Sequence, residues 1–193
     1  MGKGEETRLA VLDEAASVAR GVGLGGLTIG TLAERTALSK SGLFGHFKSK
    51  ESLQLQVLEH ARARFVDLVV RPAIAAPRGE PRLRVLFDGW LRWESVPGGG
   101  LFVPAAAEFH PQAGVVRDEV VRGERDMIDM VTTMFRAGVA DGAFRADTDP
   151  EQCAYEFNGI ILAFHQAFHL LEDERSESRA RRALDALLDR VRN

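Results

Sequence analysis

A single cysteine, Cys153, stands in the 193-residue chain, so no intramolecular disulfide can staple this fold. A lone thiol fits a reducing compartment better than a secreted one. Long apolar runs are also missing: none reaches the roughly 18 residues that a spanning helix needs. The N-terminal MGKGEETRLAVLDEAA carries acids where a secretory leader would be basic, and the expectation is a soluble, cytoplasmic protein. A positive excess is missing as well. A net charge of −3 and a pI near 6.0 exclude a generally basic nucleic-acid coat. The sign is uneven, however: residues 1–65 hold nine Lys and Arg against seven Asp and Glu, the remainder sixteen against twenty-one. Strand-like alternation, internal repeats and low-complexity tracts are absent from the sequence, which leaves an all-α reading with roughly nine helices.

What is present is helical periodicity. Residues 7–20 read as an amphipathic helix with Leu9, Leu12, Ala16 and Ala19 on one stripe. The link Gly21-Val22-Gly23-Leu24-Gly25-Gly26 has the form GxGxxG but comes after a helix and lies in no βαβ pattern, so it reads as a flexible turn. Ser49 caps a long helix expected to run to about Val70, with Leu53, Val57, Leu58, Ala61, Phe65 and Leu68 inward. Pro72, Pro77, Gly79 and Pro81 break the pattern, and Leu83, Leu86, Phe87, Trp90 and Leu91 begin another helix that stops before Pro97. A short apolar piece, 101–109, a long helix from Val115 to about Val139, a very apolar one from Glu151 to Leu171 and a final amphipathic one from Arg179 to Val191 complete the chain. In the apolar helix Phe157, Ile161, Phe164, Phe168 and Leu171 form one stripe; in the last, Leu184, Leu187, Leu188 and Val191 point inward.

The stretch from Thr28 to Phe47 carries the functional signal. Thr28 caps a short helix with Ile29, Leu32 and Ala33 at helical spacing, residues 36–38 turn, and Ser39 caps a second helix. In that helix Leu43, Phe44 and Phe47 are expected inward, with Lys40, Ser41, Gly42, Gly45 and His46 outside. Two glycines on an exposed helical face cost up to about 1 kcal/mol each relative to alanine, which suggests close approach of a partner to the backbone. The segment Leu38-Ser39-Lys40-Ser41-Gly42-Leu43-Phe44-Gly45-His46-Phe47-Lys48-Ser49-Lys50-Glu51 resembles the DNA-binding signature of the TetR family of bacterial transcriptional regulators. It departs from that signature at Ala37, where the family has glycine, at Ser41-Gly42, where it has glycine-threonine, and at Phe44, where it has tyrosine.

The resemblance implies an N-terminal helix-turn-helix domain, residues 1–48, and a helical effector-binding and dimerisation domain, residues 49–193. It implies a ligand-responsive regulator, a repressor, that binds a palindromic operator in double-stranded DNA as a homodimer, with no catalysis and no cofactor. DNA contacts are expected from Thr28, Ser39, Lys40, Ser41, Gly42, Phe44, His46, Lys48 and Lys50. An apolar small-molecule effector is expected among Trp90, Trp93, Phe102, Phe109, Met127, Met134, Phe164, His165 and Phe168. Gly159, Ala163 and Ala167, four apart, allow close helix approach and with Leu184 and Leu188 suggest the dimer interface.

Two other classes compete with this reading. His165, His169 and Glu172 share one helical face and offer three metal ligands, with Glu108 or His110 as a fourth from elsewhere; an all-α metal-dependent protein or enzyme would use them. Packed or pocket-lining histidines are the commoner use of such a pair, and no metal is expected. A DNA-binding protein of architectural type would read no sequence at all. Cys153 has no catalytic neighbour at a telling spacing and is not expected to act as a nucleophile.

Overall fold

The computed structural model describes residues 3–36 and 38–193. Ala37, in the turn between the two short helices, lies outside the described residues. The helices are α1 (Lys3–Val22), α2 (Ile29–Arg35), α3 (Lys40–Phe47), α4 (Lys50–Phe65), α5 (Arg71–Ala75), α6 (Glu80–Ser95), α7 (Phe102–Phe109), α8 (Val115–Ala140), α9 (Pro150–His169) and α10 (Ser176–Val191), with a π-helical turn, Val66–Val70, between α4 and α5. Among the described residues the fold is all-α; only an isolated bridge, Phe144 with Arg192, pairs extended backbone. No described helix is long and apolar enough to cross a membrane. Two compact units emerge: Met1–Phe65 with Ser95–Gly123, and Val66–Glu94 with Glu124–Asn193.

In the first unit α1 packs on α4 and α2, and α3 packs on α2 and α4. Its core is built from Leu12, Ala15, Ala16 and Ala19 of α1, Leu32 of α2, Leu43 and Phe47 of α3, and Leu53, Val57, Ala61 and Phe65 of α4, all buried. Leu9, one turn before Leu12, is 36% exposed, so the buried part of that stripe begins at Leu12. The glycine link is tied down. Buried Gln54 donates its side-chain amide to the Leu24 carbonyl at 2.8 Å, and the Gly25 N–H donates to Glu108 Oε1 of α7 at 2.8 Å. A Cβ at Gly25 would stand 2.2 Å from that oxygen, and one at Gly26 2.3 Å from the Val22 carbonyl oxygen. The glycines therefore admit a carboxylate and a neighbouring backbone, and no strand–helix phosphate loop is formed.

The expected long helix ends differently. The α-helical ladder stops at Phe65, and the wider π turn rotates the residues beyond it, so Val69 and Val70 are buried while Leu68 is 51% exposed. Pro72 then sits in the first turn of α5, where its missing N–H costs nothing.

The core of the second unit runs through Leu83, Leu86, Phe87, Trp90 and Trp93 of α6, Val131, Met134 and Phe135 of α8, Phe157, Ile161 and Phe164 of α9, and Leu184, Leu187, Leu188 and Val191 of α10. Gly89 lets Val69 approach α6, a Cβ there being only 3.1 Å from the valine side chain. Asp149 caps α9 by accepting the Glu151 and Gln152 amides, and α9 lies along α10. Leu171 is exposed because α9 ends at His169, which takes it out of the helical period.

Candidate functional site

The helix-turn-helix is held by side chain to backbone bonds at each start. The Thr28 hydroxyl accepts the Thr31 N–H at 3.0 Å while Thr31 Oγ1 accepts the Thr28 N–H at 2.9 Å, a reciprocal capping box. Ser39 Oγ accepts the Gly42 N–H at 3.1 Å and lies 3.0 Å from Ser41 Oγ. Lys48 ends α3 with φ 58°, its N–H reaching the Phe44 carbonyl, and Ser49 accepts the Ser52 N–H to start α4.

Leu43 and Phe47 are wholly buried, so they clamp α3 to its unit. Ser39, Lys40, Ser41, Gly42, Phe44, Gly45, His46, Lys48 and Lys50 are all exposed, and Thr28 is half-buried at its cap. Phe44 corrects the expectation: it is 55% exposed, because an eight-residue helix packed through positions 43 and 47 turns position 44 outward. The outer face thus carries an aromatic ring beside two hydroxyls, an imidazole and three lysines. Nothing lies within 4 Å of a Cβ built on Gly45, so no internal contact demands glycine there.

The residues expected around an effector divide between the units. Phe102 and Phe109 belong to the first, where Phe102 meets Phe65 edge-on at 5.7 Å. Trp90, Trp93, Met127, Met134, Phe164, His165 and Phe168 belong to the second. There Trp90 lies 6.2 Å from the Phe157 ring and Phe164 stacks on Phe168 at 5.3 Å; Trp93 is 2% exposed. Met134 also borders a groove of about 560 Å³ with Ile74, Arg82, Asp126 and Asp129.

Along α9 and α10 runs a second groove, of about 630 Å³, bordered by Gly159, Ala163, Ala167, Ala183, Ala186 and Leu187 among others. Gly159 and Ala163 are exposed and Ala167 half-buried. Leu184 and Leu188, grouped with them from the sequence, are 2% and 0% exposed: they fill the protomer's own core, and the outward small residues of α10 are Ala183 and Ala186.

The histidine pair finds a different acid from the one expected. Glu172 lies past the end of α9, exposed and with φ 49°. It is Glu94 of α6, 1% exposed, whose Oε2 lies 2.8 Å from His165 Nδ1 and 3.0 Å from His169 Nε2. The signal in the sequence is a glutamate continuing the Trp90, Leu91, Trp93 face of α6. Burial pushes the Cys153 thiol above its ordinary range, which keeps it protonated and unreactive.

A capped helix-turn-helix with an exposed polar and aromatic outer face, leading into an all-helical C-terminal region, has the architecture of a DNA-binding regulator. A family model described as "Bacterial regulatory proteins, tetR family" matches residues 11–57, and one described as "Tetracyclin repressor-like, C-terminal domain" matches residues 79–184. The chain belongs to the TetR family of transcriptional regulators, with a ligand-binding C-terminal domain. Its fold is similar to that of a TetR transcriptional regulator from Chloroflexus aurantiacus (TM-score 0.86, 22% identity, 100% of this chain and 99% of that one). A TetR-family regulator from Cytophaga hutchinsonii is also similar (0.81, 17%, 100% and 98%), as is AibR crystallised with isovaleryl coenzyme A and operator DNA (0.72, 21%, 93% and 94%). No curated protein matches the chain.

Proposed function

We propose that this chain is a ligand-responsive repressor that binds a palindromic operator as a homodimer and is released by a small, mostly apolar effector. The observation that carries the reading is the α3 surface, where Lys40, Ser41, Gly42, Phe44 and His46 stand exposed over a base anchored by buried Leu43 and Phe47. A helix anchored on one side, with hydroxyls, an imidazole and an aromatic ring on the other, suits the major groove, and Lys48 and Lys50 beside it suit phosphates. Residues 1–48 act as the DNA-binding domain and residues 49–193 as the effector-binding and dimerisation domain.

Dimerisation is supported by the small exposed residues Gly159, Ala163, Ala183 and Ala186, which permit α9 and α10 of two copies to form a close-packed four-helix interface. The apolar effector is supported by the aromatic residues of the second unit, Trp90, Trp93, Phe164 and Phe168, with His165 on the same helix as the last two offering a polar group. AibR, a structural neighbour, carries an acyl coenzyme A and operator DNA together, which supports the pairing of the two ligands on this fold. A cytoplasmic regulator with access to the chromosome is the setting this implies.

The test is to select bound fragments from the native genome. Recovery of a few sites with two-fold symmetry and half-sites about 34–36 Å apart supports the proposal. Recovery of fragments without a shared sequence supports an architectural role instead.

A further inference from the structure

Glu94 is an acid placed where a globular core rarely leaves one. It is 1% exposed on α6, in the second unit, and its Oε2 meets one nitrogen from each of two histidines on α9, at 2.8 Å and 3.0 Å. The three donor atoms all lie within 4.8 Å of one another. The imidazole rings stand 4.6 Å apart, as positions four residues apart on one helix dictate.

A buried carboxylate must be compensated, and the two histidines can take part in that in two ways. Both imidazoles can donate N–H groups to it, or all three lone pairs can turn to a shared cation. In the second, ligands about 2.0–2.1 Å from a tetrahedral zinc ion stand roughly 3.3 Å apart: the two histidine–carboxylate separations fall a few tenths of an ångström short of that, and the two imidazole nitrogens, within 4.8 Å of each other, close on the ion by turning their rings. The histidine side chains keep 15% and 22% of their surface, so an ion can reach them from solvent, whereas Glu94 at 2% is buried.

We propose that Glu94, His165 and His169 form a binding site for a divalent first-row transition ion of the zinc class, with a fourth position open to water or to a ligand atom. Two imidazole nitrogens and one carboxylate oxygen suit borderline ions and select against magnesium and calcium, which prefer oxygen alone. Cys153 takes no part, since twelve residues along α9 place it about 18 Å away down the helix axis. The site stands on side-chain geometry alone, so it holds or fails independently of operator binding.

The experiment uses the untagged full chain, stripped with a chelator and dialysed against zinc, with cobalt as a spectroscopic substitute. One equivalent of zinc per chain, and visible cobalt absorption of low-coordinate type, are expected. His165→Ala and His169→Ala should each weaken binding at least about 10-fold while His60→Ala, at a histidine paired with Asp13, leaves it unchanged. Because Glu94→Gln changes a buried group, the milder His165→Gln and the circular dichroism of each variant accompany it. Zinc should raise the unfolding midpoint of the parent chain and not that of the ligand variants. Absence of stoichiometric zinc, or zinc that persists in both histidine variants, overturns the site and leaves a hydrogen-bonded carboxylate.

Discussion

The Gly25 N–H and the Glu108 carboxylate, 83 positions apart, meet at 2.8 Å, so the link entering the helix-turn-helix is fastened to α7 within one compact unit. The other Glu108 oxygen is buried without a hydrogen-bond partner among the described residues, so the bond from Gly25 matters all the more to this carboxylate. Glu108→Ala should lower stability by about 1–3 kcal/mol by orphaning the amide. Gly25→Ala should do the same by displacing the carboxylate from its bond. The two residues share one interaction, so the double variant should cost clearly less than the sum of the singles. Urea unfolding of all four proteins measures this; strict additivity would show that the contact contributes nothing.

The groove along α9 and α10 makes a contrast between surface and core. Ala163→Glu introduces a charge at an exposed position and should give folded monomers with much weakened operator binding. Leu184→Ala, in the core, should instead cost about 2–5 kcal/mol of protomer stability. Sedimentation together with thermal unfolding separates the effects, and an Ala163→Glu protein that stays dimeric would place the interface elsewhere.

Glu124 supplies the pH dependence. Burial raises its carboxyl pKa above the usual value, so the folded protein holds a proton that the unfolded chain has released. Stability should therefore fall as pH rises from the ordinary carboxylate range through the raised folded value, and the penalty is complete above it. Glu124→Gln should raise the unfolding temperature at pH 7 and leave it little changed near pH 4. A variant no more stable at pH 7 would contradict this.

Legibility in the sequence depends on whether the signal is local. The caps at Thr28, Ser39 and Ser49, and the burial of Leu43 and Phe47, arise from neighbouring residues and hydrophobic spacing, and they stand where the sequence places them. Phe44 escapes such a reading because periodicity cannot tell an apolar residue used outside from one used inside. Leu68 escapes it because a π turn leaves no local mark in composition. Leu184 and Leu188 satisfy a helical stripe equally well as core or interface, and only the packing of α9 on α10 decides between them. Glu94 meets its histidines across 71 and 75 positions of chain, beyond any spacing rule.

Ligand binding should be coupled to DNA binding. An effector that prefers one arrangement of the second unit by about 3 kcal/mol would lower operator affinity about 150-fold, and operator DNA must weaken the effector by the same factor. Tryptophan fluorescence should change on binding, since Trp90 and Trp93 are buried in that unit. Phe168→Ala, at a half-buried position, should impair release before it impairs DNA binding, whereas Trp90→Ala removes a core ring and should chiefly lower stability, by about 3–5 kcal/mol. Titrations with apolar compounds carrying one or two polar groups, with and without operator, test this; equal affinities in both series would refute the coupling.

Sequence-specific recognition by α3 is the central claim, and competitive anisotropy on a selected genomic fragment tests it most directly. The parent protein should prefer that fragment over a scrambled duplex of equal length by about 10³-fold or more at physiological salt. Lys50→Ala should weaken both duplexes alike and reduce the salt slope by about one, whereas Ser41→Ala or His46→Ala should narrow the preference. Equal affinity for both duplexes, or folded Ser41 and His46 variants with the preference intact, would contradict it.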